Sequence, residues 1–362
     1  MITISLCMIV KNEEDALGRC LSSVRGIADE IVIVDTGSTD RTKEIAASFD
    51  ARIFDFEWID DFGAARNFAF SKATQPYIMW LDADDLIEEE DRGKLLELKR
   101  TLDPDVDSVT MPYNLAFDKD GNVTVSLRRN RIVKRSRGFR WEGPVHEVLV
   151  VSGRVHASEA AVTHRKEKVY TDRNLRIYRK RAETGESFNA RDLFYFANEW
   201  KDNGHYREAI DYYERFLHTK QGWIEDCYAA CLSMSDCYVR LGEPRKQLHS
   251  LLRSMVYSPV RAETCCRLGY YFFETKRLEQ AIHWYRAATK LGRPESFGFM
   301  GMIDYASWTW LPHLQLAVCL DRTGDLQEAN RHNELAASYN PDHPSILYNR
   351  TYFSNRLSPQ GE

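Results

Sequence analysis

Apolar and polar positions follow two rhythms along this chain, and the change comes near residue 170. Before it, short apolar runs alternate with polar stretches of helical period. Residues 2–10 read as a strand, broken at Lys11-Asn12-Glu13-Glu14, and residues 16–24 as a helix. Residues 30–34 (EIVIV) form a nearly continuous apolar run, as a parallel strand buried on both faces does. The polar stretch from Asp35 to Asp40 then turns into a helix reaching about Phe49. Residues 51–56 are a third strand, 62–73 a helix and 77–81 a fourth strand. Strands alternating with helices predict a parallel α/β sheet. Residues 88–102 follow as a charged helix. Residues 108–117 and 122–133 read as strands joined at Asp120-Gly121, a hairpin signal, with shorter strands at 148–151 and 160–162.

After about Tyr170 the strand signals stop, and alanines and aromatics recur at helical spacing. Gly204-His205-Tyr206 leads to Ala209 and Tyr213, and Gly242-Glu243-Pro244 begins a looser copy. Lys276-Arg277-Leu278 leads to Ala281, Tyr285 and Ala288, and Gly324-Asp325-Leu326 to Ala329 and Ala336. The steps from Tyr206 through Pro244 and Leu278 to Leu326 are 38, 34 and 48 residues. This pattern resembles tetratricopeptide repeats, whose period is about 34. Such repeats stack into a superhelix whose concave face binds peptides or other subunits. Trp200, Tyr212 and Trp284 fall at core positions of that pattern. The long last gap, residues 293–310, reads as an inserted loop, lining a groove or tucked over a core, and 347–356 as a capping helix.

The length of 362 residues allows two domains, here 1–168 and 169–362. A net charge of −5 argues against nucleic acid as an obligate partner. The apolar first ten residues lack a basic leader and stop at Lys11, so they read as a strand and not a signal peptide. No run reaches the roughly 18 apolar residues of a membrane span. The eight cysteines show no closed zinc spacing and no disulfide framework, and Cys227, Cys231 and Cys237 sit in an apolar helical pattern. The expected location is therefore the cytoplasm.

Ligands of parallel α/β sheets bind at the carboxyl ends of the strands, and the informative residues lie there. Lys11 and Asn12 follow the first strand, Asp35 the second, and Asp82 and Asp84 the fourth. In an extended backbone Asp82 and Asp84 share a face and can converge on one Mg²⁺ or Mn²⁺. The plainer alternative is a polar strand end with Asp85 as a helix cap. Asp35 suits a hydrogen bond to a base or ribose, and Gly37 permits close backbone approach at a helix start. No GxGxxG or GxxxxGK[ST] is present, which sets aside dinucleotide-binding and P-loop enzymes.

The set SLCMIVKNEE (5–14), VDTGSTD (34–40), DFGAARNFA (61–69) and WLDADD (80–85) resembles family-2 glycosyltransferases, in their order and spacing. The resemblance implies a GT-A α/β domain followed by an all-α, tetratricopeptide-like domain. It also implies a nucleotide-sugar donor, such as a UDP-sugar, and a divalent metal. It puts Asp35 on the base or ribose, Arg66 and Asn67 beside the nucleotide, and Asp84 on the metal. Asp82 would hold the ribose or a metal-bound water, and Asp60 or Asp61 would line the uridine pocket. In Trp141-Glu142-Gly143-Pro144-Val145-His146-Glu147 it implies an acidic residue that takes the acceptor proton, Glu147, with His146 as rival; the plainer alternative is that Glu147 pairs with one of the nearby arginines. It offers His164 as a further metal ligand. The basic run 128–140 could hold an anion, but reads better as a solvated edge strand defended by charge. Catalytic domains of this kind joined to repeats resemble enzymes that glycosylate peptides or proteins, bacteriocin S-glycosyltransferases among them, and enzymes of cell-surface glycan assembly. The repeats would recruit the acceptor or pair two copies. The competing reading is a scaffold whose transferase domain has lost activity. A nucleotidyltransferase would need a glycine-rich basic loop after the first strand, which is missing.

Overall fold

The computed structural model describes residues 1–118, 121–165, 171–292 and 303–357. Asp120 of the expected hairpin, the expected boundary at 168/169 and the gap residues 293–302 lie outside the described residues. Two compact units form, one of Met1–Gly185 with Ile303, the other of residues 186–292 with 304–357.

In the first unit the elements are β1 (Ile4–Val10), α1 (Leu17–Ser23), β2 (Glu30–Asp35), α2 (Thr42–Ala47), β3 (Arg52–Asp55), α3 (Phe62–Lys72), β4 (Tyr77–Trp80), β5 (Asp85–Leu86) and α4 (Glu89–Thr101). They continue as β6 (Ser108–Phe117), β7 (Val123–Lys134), β8 (Arg140–Glu142), β9 (Val148–Val150), β10 (Val155–Ala157), β11 (Val162–His164) and α5 (Arg173–Glu183). The main sheet runs β3-β2-β1-β4-β7-β6-β11-β5, with β10 also on β6, while β8 and β9 form a separate antiparallel pair. β3, β2, β1 and β4 are mutually parallel, as the alternation predicts. Successive residues of β1 face opposite layers. Leu6, Met8 and Val10 pack with Leu17, Leu21 and Leu95 of α1 and α4, whereas Cys7 packs with Ala69 and Phe70 of α3. Burial on both faces explains why β1 and β2 read as unbroken apolar runs.

The parallel rule stops at β4, because β7 joins it antiparallel and β6 pairs antiparallel with β7. This corrects the reading of the basic run. β7 is an interior strand, and Arg128 and Arg131 are buried. Arg128 donates to the Thr110 and Ser158 carbonyls, and Arg131 pairs with Asp85 at 3.0 Å. Lys134 and Arg135 likewise bond the carbonyls of Pro104 and Gln75. The expected strand at 160–162 is also shifted. β11 covers Val162–His164, so His164 lies on the strand and not after it.

The second unit contains α6 (Ala190–Asp202), α7 (Tyr206–Thr219), α8 (Ile224–Leu241), α9 (Pro244–Ser254), α10 (Ala262–Glu274) and α11 (Leu278–Lys290). After the gap come α12 (Tyr305–Trp308), α13 (Trp310–Thr323), α14 (Leu326–Tyr339) and α15 (Pro344–Leu357). α6 packs on α7, α8 on α9, α10 on α11 and α13 on α14. The small and aromatic positions of the pattern are the core: Ala209, Tyr213, Ala281, Tyr285, Ala288, Ala329 and Ala336 are all at most 2% exposed. A Cβ on Gly269 of α10 would lie 2.6 Å from the Tyr285 ring, so that pair of helices packs closely through a glycine. Trp200, Tyr212 and Trp284 pack against these cores. The C-terminal part of the expected loop is ordered into α12, where Trp308 donates to the buried Glu263 at 2.5 Å. All eight cysteines are free and buried.

The repeat turns share a left-handed residue, Gly204 (φ 81°), Gly242 (φ 69°) and Gly324 (φ 91°), but the third has Lys276 at φ 63°. A side chain there costs about 1 kcal/mol, partly offset by the entropy glycine adds to the unfolded chain. Lys276→Gly is expected to raise the melting temperature by about 1–2 °C. A lower melting temperature would show that the lysine side chain contributes more than its backbone costs.

Candidate active site at the carboxyl ends of the strands

β4 ends in a tight turn. The Asp85 amide donates to the Asp82 carbonyl at 3.0 Å, and the Asp82 amide donates to Asp85 Oδ2 at 3.0 Å. The backbone from 82 to 85 is therefore not extended, and the same-face rule for residues two apart does not apply. The expected convergence of Asp82 with Asp84 is replaced by another grouping. Asp85 opens β5, and the register of β5 with β11 sets it opposite His164. One ligand atom each from Asp84, Asp85 and His164 lies within 4.8 Å of the others, and among the described residues this is the group able to hold a metal. Asp85 is thus no helix cap. The residue before α4 is Glu88.

Two carboxylates and an imidazole make a hard-to-borderline donor set that fits Mn²⁺ or Mg²⁺. Asp85 Oδ2 is anchored by Arg131, which is fully buried and stacked between Trp80 and Tyr113 at 3.9 and 4.3 Å. The other oxygen, Oδ1, is buried with no hydrogen-bond partner among the described residues, and His164 Nδ1 lies 3.5 Å from it. An under-satisfied buried carboxylate oxygen is costly unless a cation completes it. His164 Nδ1 lies 3.0 Å from the Tyr113 hydroxyl and 3.5 Å from Asp84 Oδ1. Its imidazole is held above the ordinary value by the Asp85 carboxylate, against the effect of burial, with Asp84 adding to the rise. Burial pushes Asp84 up to about 6, opposed by His164 and assisted by Asp82 and Asp85.

Asp82 turns instead to Arg66, whose Nη2 donates to Asp82 Oδ1 at 2.7 Å. Arg66 Nε donates to Glu147 Oε1 at 2.5 Å, so one guanidinium joins both carboxylates. Burial would lower the Arg66 pKa, but Asp82 and Glu147 outweigh it and raise it. The Asp82 carboxyl, which burial would raise, is brought below its usual range by Arg66 and Arg131. Asn67, one residue on, bonds the Trp141 backbone in both directions at 2.9 Å. Its amide is committed to holding β8.

The loop carrying Glu147 is held from several sides. The Phe62 amide donates to the Pro144 carbonyl at 2.8 Å, and a Cβ on Gly63 would lie 2.5 Å from the Gly143 carbonyl oxygen. From α5, the Tyr178 hydroxyl reaches the Val145 carbonyl at 3.5 Å, and its ring stacks on His146. His146 itself has φ 49°. Asp61 caps α3 by accepting from the Ala64 amide at 2.8 Å, and lines a cleft of about 500 Å³ with Phe56, Phe68, Arg140 and Trp141. Asp60 is bound by Lys180 at 2.7 Å and by the Trp58 indole at 3.0 Å.

At the end of β2, Asp35 Oδ1 accepts from the amides of Gly37 and Ser38 at 2.9 and 2.8 Å, an Asx-type turn. Its other oxygen is buried with no donor among the described residues. Gly37 has φ 102°, which a side chain would oppose. Asn12, at φ 53°, braces the same turn by accepting from the Thr39 amide at 2.8 Å, while its own amide donates to Ser38 Oγ at 2.9 Å. Lys11 beside it is exposed. Sequence reasoning missed Asp85 as a metal-capable residue, and Arg131 and Tyr113 behind it. The third carboxylate of the 82–85 run was the available signal for the first, and the strand pattern at Ile132-Val133 for the second.

Residues 5–156 match the family model described as Glycosyl transferase family 2, and residues 262–291 match the Tetratricopeptide repeat model. Among curated proteins, a TPR repeat-containing protein of Synechococcus elongatus is 39% identical over 155 residues, 41% of this chain and 36% of that protein. The SPbeta prophage-derived glycosyltransferase SunS of Bacillus subtilis is 29% identical over 229 residues, 59% of this chain and 53% of that protein. The chain thus spans about a third to a half of the length of these relatives. Among solved structures, S. aureus TarS in complex with UDP-GlcNAc has a TM-score of 0.40 and 16% identity, covering 70% of this chain and 91% of that one. The fold class expected from sequence holds: a mixed α/β GT-A unit carrying a family-2 transferase domain, followed by tetratricopeptide-like helices.

Proposed function

We propose, from the family-2 glycosyltransferase domain at residues 5–156, that this chain is a metal-dependent, inverting glycosyltransferase. It moves a sugar from a UDP-sugar to a peptide, protein or glycan acceptor. On this reading the first unit is catalytic, and the helical repeats of the second unit recruit the acceptor or pair two copies. The observation that carries the proposal is the meeting of Asp84, Asp85 and His164 at the carboxyl ends of the strands. Those three residues would hold Mn²⁺ or Mg²⁺, which supplies positive charge to the diphosphate that leaves. The buried, unpartnered oxygen of Asp35 supports a role in accepting a hydrogen bond from the nucleotide, with Lys11, Asn12 and Gly37 shaping the turn around it. Glu147 takes the proton from the acceptor as the acceptor atom attacks the anomeric carbon, and UDP departs with the bonding pair. Among the described residues no helix is long and apolar enough to cross a membrane, and eight free cysteines suit a reducing compartment, which we take to be the cytoplasm.

The test is a thermal-shift panel of nucleotides and UDP-sugars with and without Mn²⁺. A ligand at about one hundred times its Kd adds about 2.7 kcal/mol, so a rise of several degrees that needs both UDP and Mn²⁺ is the expected result. A flat panel would favour the scaffold reading and turn attention to the repeats.

A further inference from the structure

We propose that Arg66 is a positioning residue that fixes the Glu147 carboxylate relative to the donor side of the site, by bonding Glu147 and Asp82 through separate nitrogens of one guanidinium. The inference rests on the transferase reading and assigns a role within it. The two carboxylates reach Arg66 from different parts of the chain. Asp82 comes from the turn after β4, and Glu147 from the loop between β8 and β9. Nη2 serves Asp82 at 2.7 Å and Nε serves Glu147 at 2.5 Å, so neither bond competes with the other. A guanidinium offers its donors in a rigid planar fork, which fixes the angle between two partners as well as their distance.

The plane of that fork is itself set by aromatic contacts. The indoles of Trp80 and Trp141 each lie 4.9 Å from the guanidinium carbon, and the two rings meet edge to face at 4.7 Å. Trp80 belongs to the strand that delivers Asp82. Trp141 belongs to β8, which leads into the Glu147 loop and is tied to α3 by Asn67. Both carboxylate-bearing segments are thus referred to the same helix, and Arg66 is the point where they meet. Its side chain is 8% exposed and that of Glu147 12%, so the pair is shielded from the solvent that makes surface ion pairs negligible. With Oε1 bound by Arg66, the base is presented in one orientation.

The test uses Arg66→Lys, which keeps the charge but lacks the planar fork that fixes the two carboxylates relative to each other. UDP affinity in Mn²⁺ is expected to stay within about threefold of the parent. The kcat for UDP release from UDP-glucose, UDP-galactose or UDP-GlcNAc, with water as acceptor, should fall about a hundredfold. Adding Glu147→Gln to Arg66→Lys should cause no further loss beyond that of Glu147→Gln alone, because both changes remove the same presented base. Fully multiplicative losses, or Arg66→Lys at the parental kcat, would overturn the inference. Should Arg66→Lys fail to fold, Asp82→Asn and Glu147→Gln form the equivalent cycle. Their combined loss should fall short of the product by tenfold or more, and a full product would again overturn it. A parental protein that releases no UDP from any of these donors would sink the transferase reading itself, and this inference with it.

Discussion

Replacing Asp84 with alanine is expected to lower sugar transfer by about a thousandfold, roughly 4 kcal/mol of transition-state stabilisation. The melting temperature of the nucleotide-free protein should stay level or rise slightly. The reason lies in the position of this carboxyl. Burial pushes it up to about 6, above its ordinary value of 3.8. Between those values the folded protein binds more protons than the unfolded chain, so stability falls as pH rises through this window and stays lower above it. Alanine removes that cost at neutral pH. The same shift predicts that Mn²⁺ affinity in the parent weakens as pH falls through about 6, because a ligand carboxylate must be ionised. Thermal melting of the two proteins at neutral pH checks the first statement, and calorimetric titration with Mn²⁺ across this pH window checks the second, neither needing an acceptor. An Asp84→Ala protein that binds Mn²⁺ as the parent does would remove Asp84 from the ligand set.

The second large effect is expected at Glu147. Glu147→Gln should reduce transfer by about 10²–10⁴, the usual worth of a positioned general base, with UDP binding in Mn²⁺ nearly unchanged. Glutamine keeps the shape and can still accept from Arg66 Nε through its carbonyl oxygen, so the loop that Phe62 and Tyr178 hold should not move. What is lost is the negative charge and the ability to take a proton. Transfer at the parental rate would move the base elsewhere. His146 is the neighbour to examine then, held against Tyr178 in its left-handed conformation.

How far the site could be read in advance depended on how local each determinant is. The strand ends bearing Asn12, Asp35 and Asp84 were visible because β1, β2 and β4 are buried on both faces and leave long apolar runs. The role of Asp85 was not, since it depends on a turn at 82–85 and on the register of β5 with β11. A two-residue strand has no periodicity to read. Arg131 illustrates the other failure. Charged runs are solvated unless a distant partner compensates them, and its partner Asp85 belongs to another strand. The Arg66–Glu147 bond likewise joins residues 81 apart and leaves no local trace. In the repeats nearly everything was legible, because each helix pair draws its core from residues close in sequence. The exceptions are α12, which lies in the stretch read as an inserted loop, and Lys276, where the backbone conformation persists without the glycine that announces it elsewhere.

The burial of every cysteine has a practical consequence. Thiolates react and thiols scarcely do, and burial pushes these groups away from ionisation, to about 11 at Cys237, Cys265 and Cys319 and about 12 at Cys231. An alkylating reagent therefore has little to attack until the chain opens. Cys7 and Cys20 belong to the sheet unit, and the other six to the helical unit. Mass spectrometry of which cysteines are labelled first turns the native sequence into a clock for each half, reporting whether transferase or repeats come apart sooner, with no engineered probe.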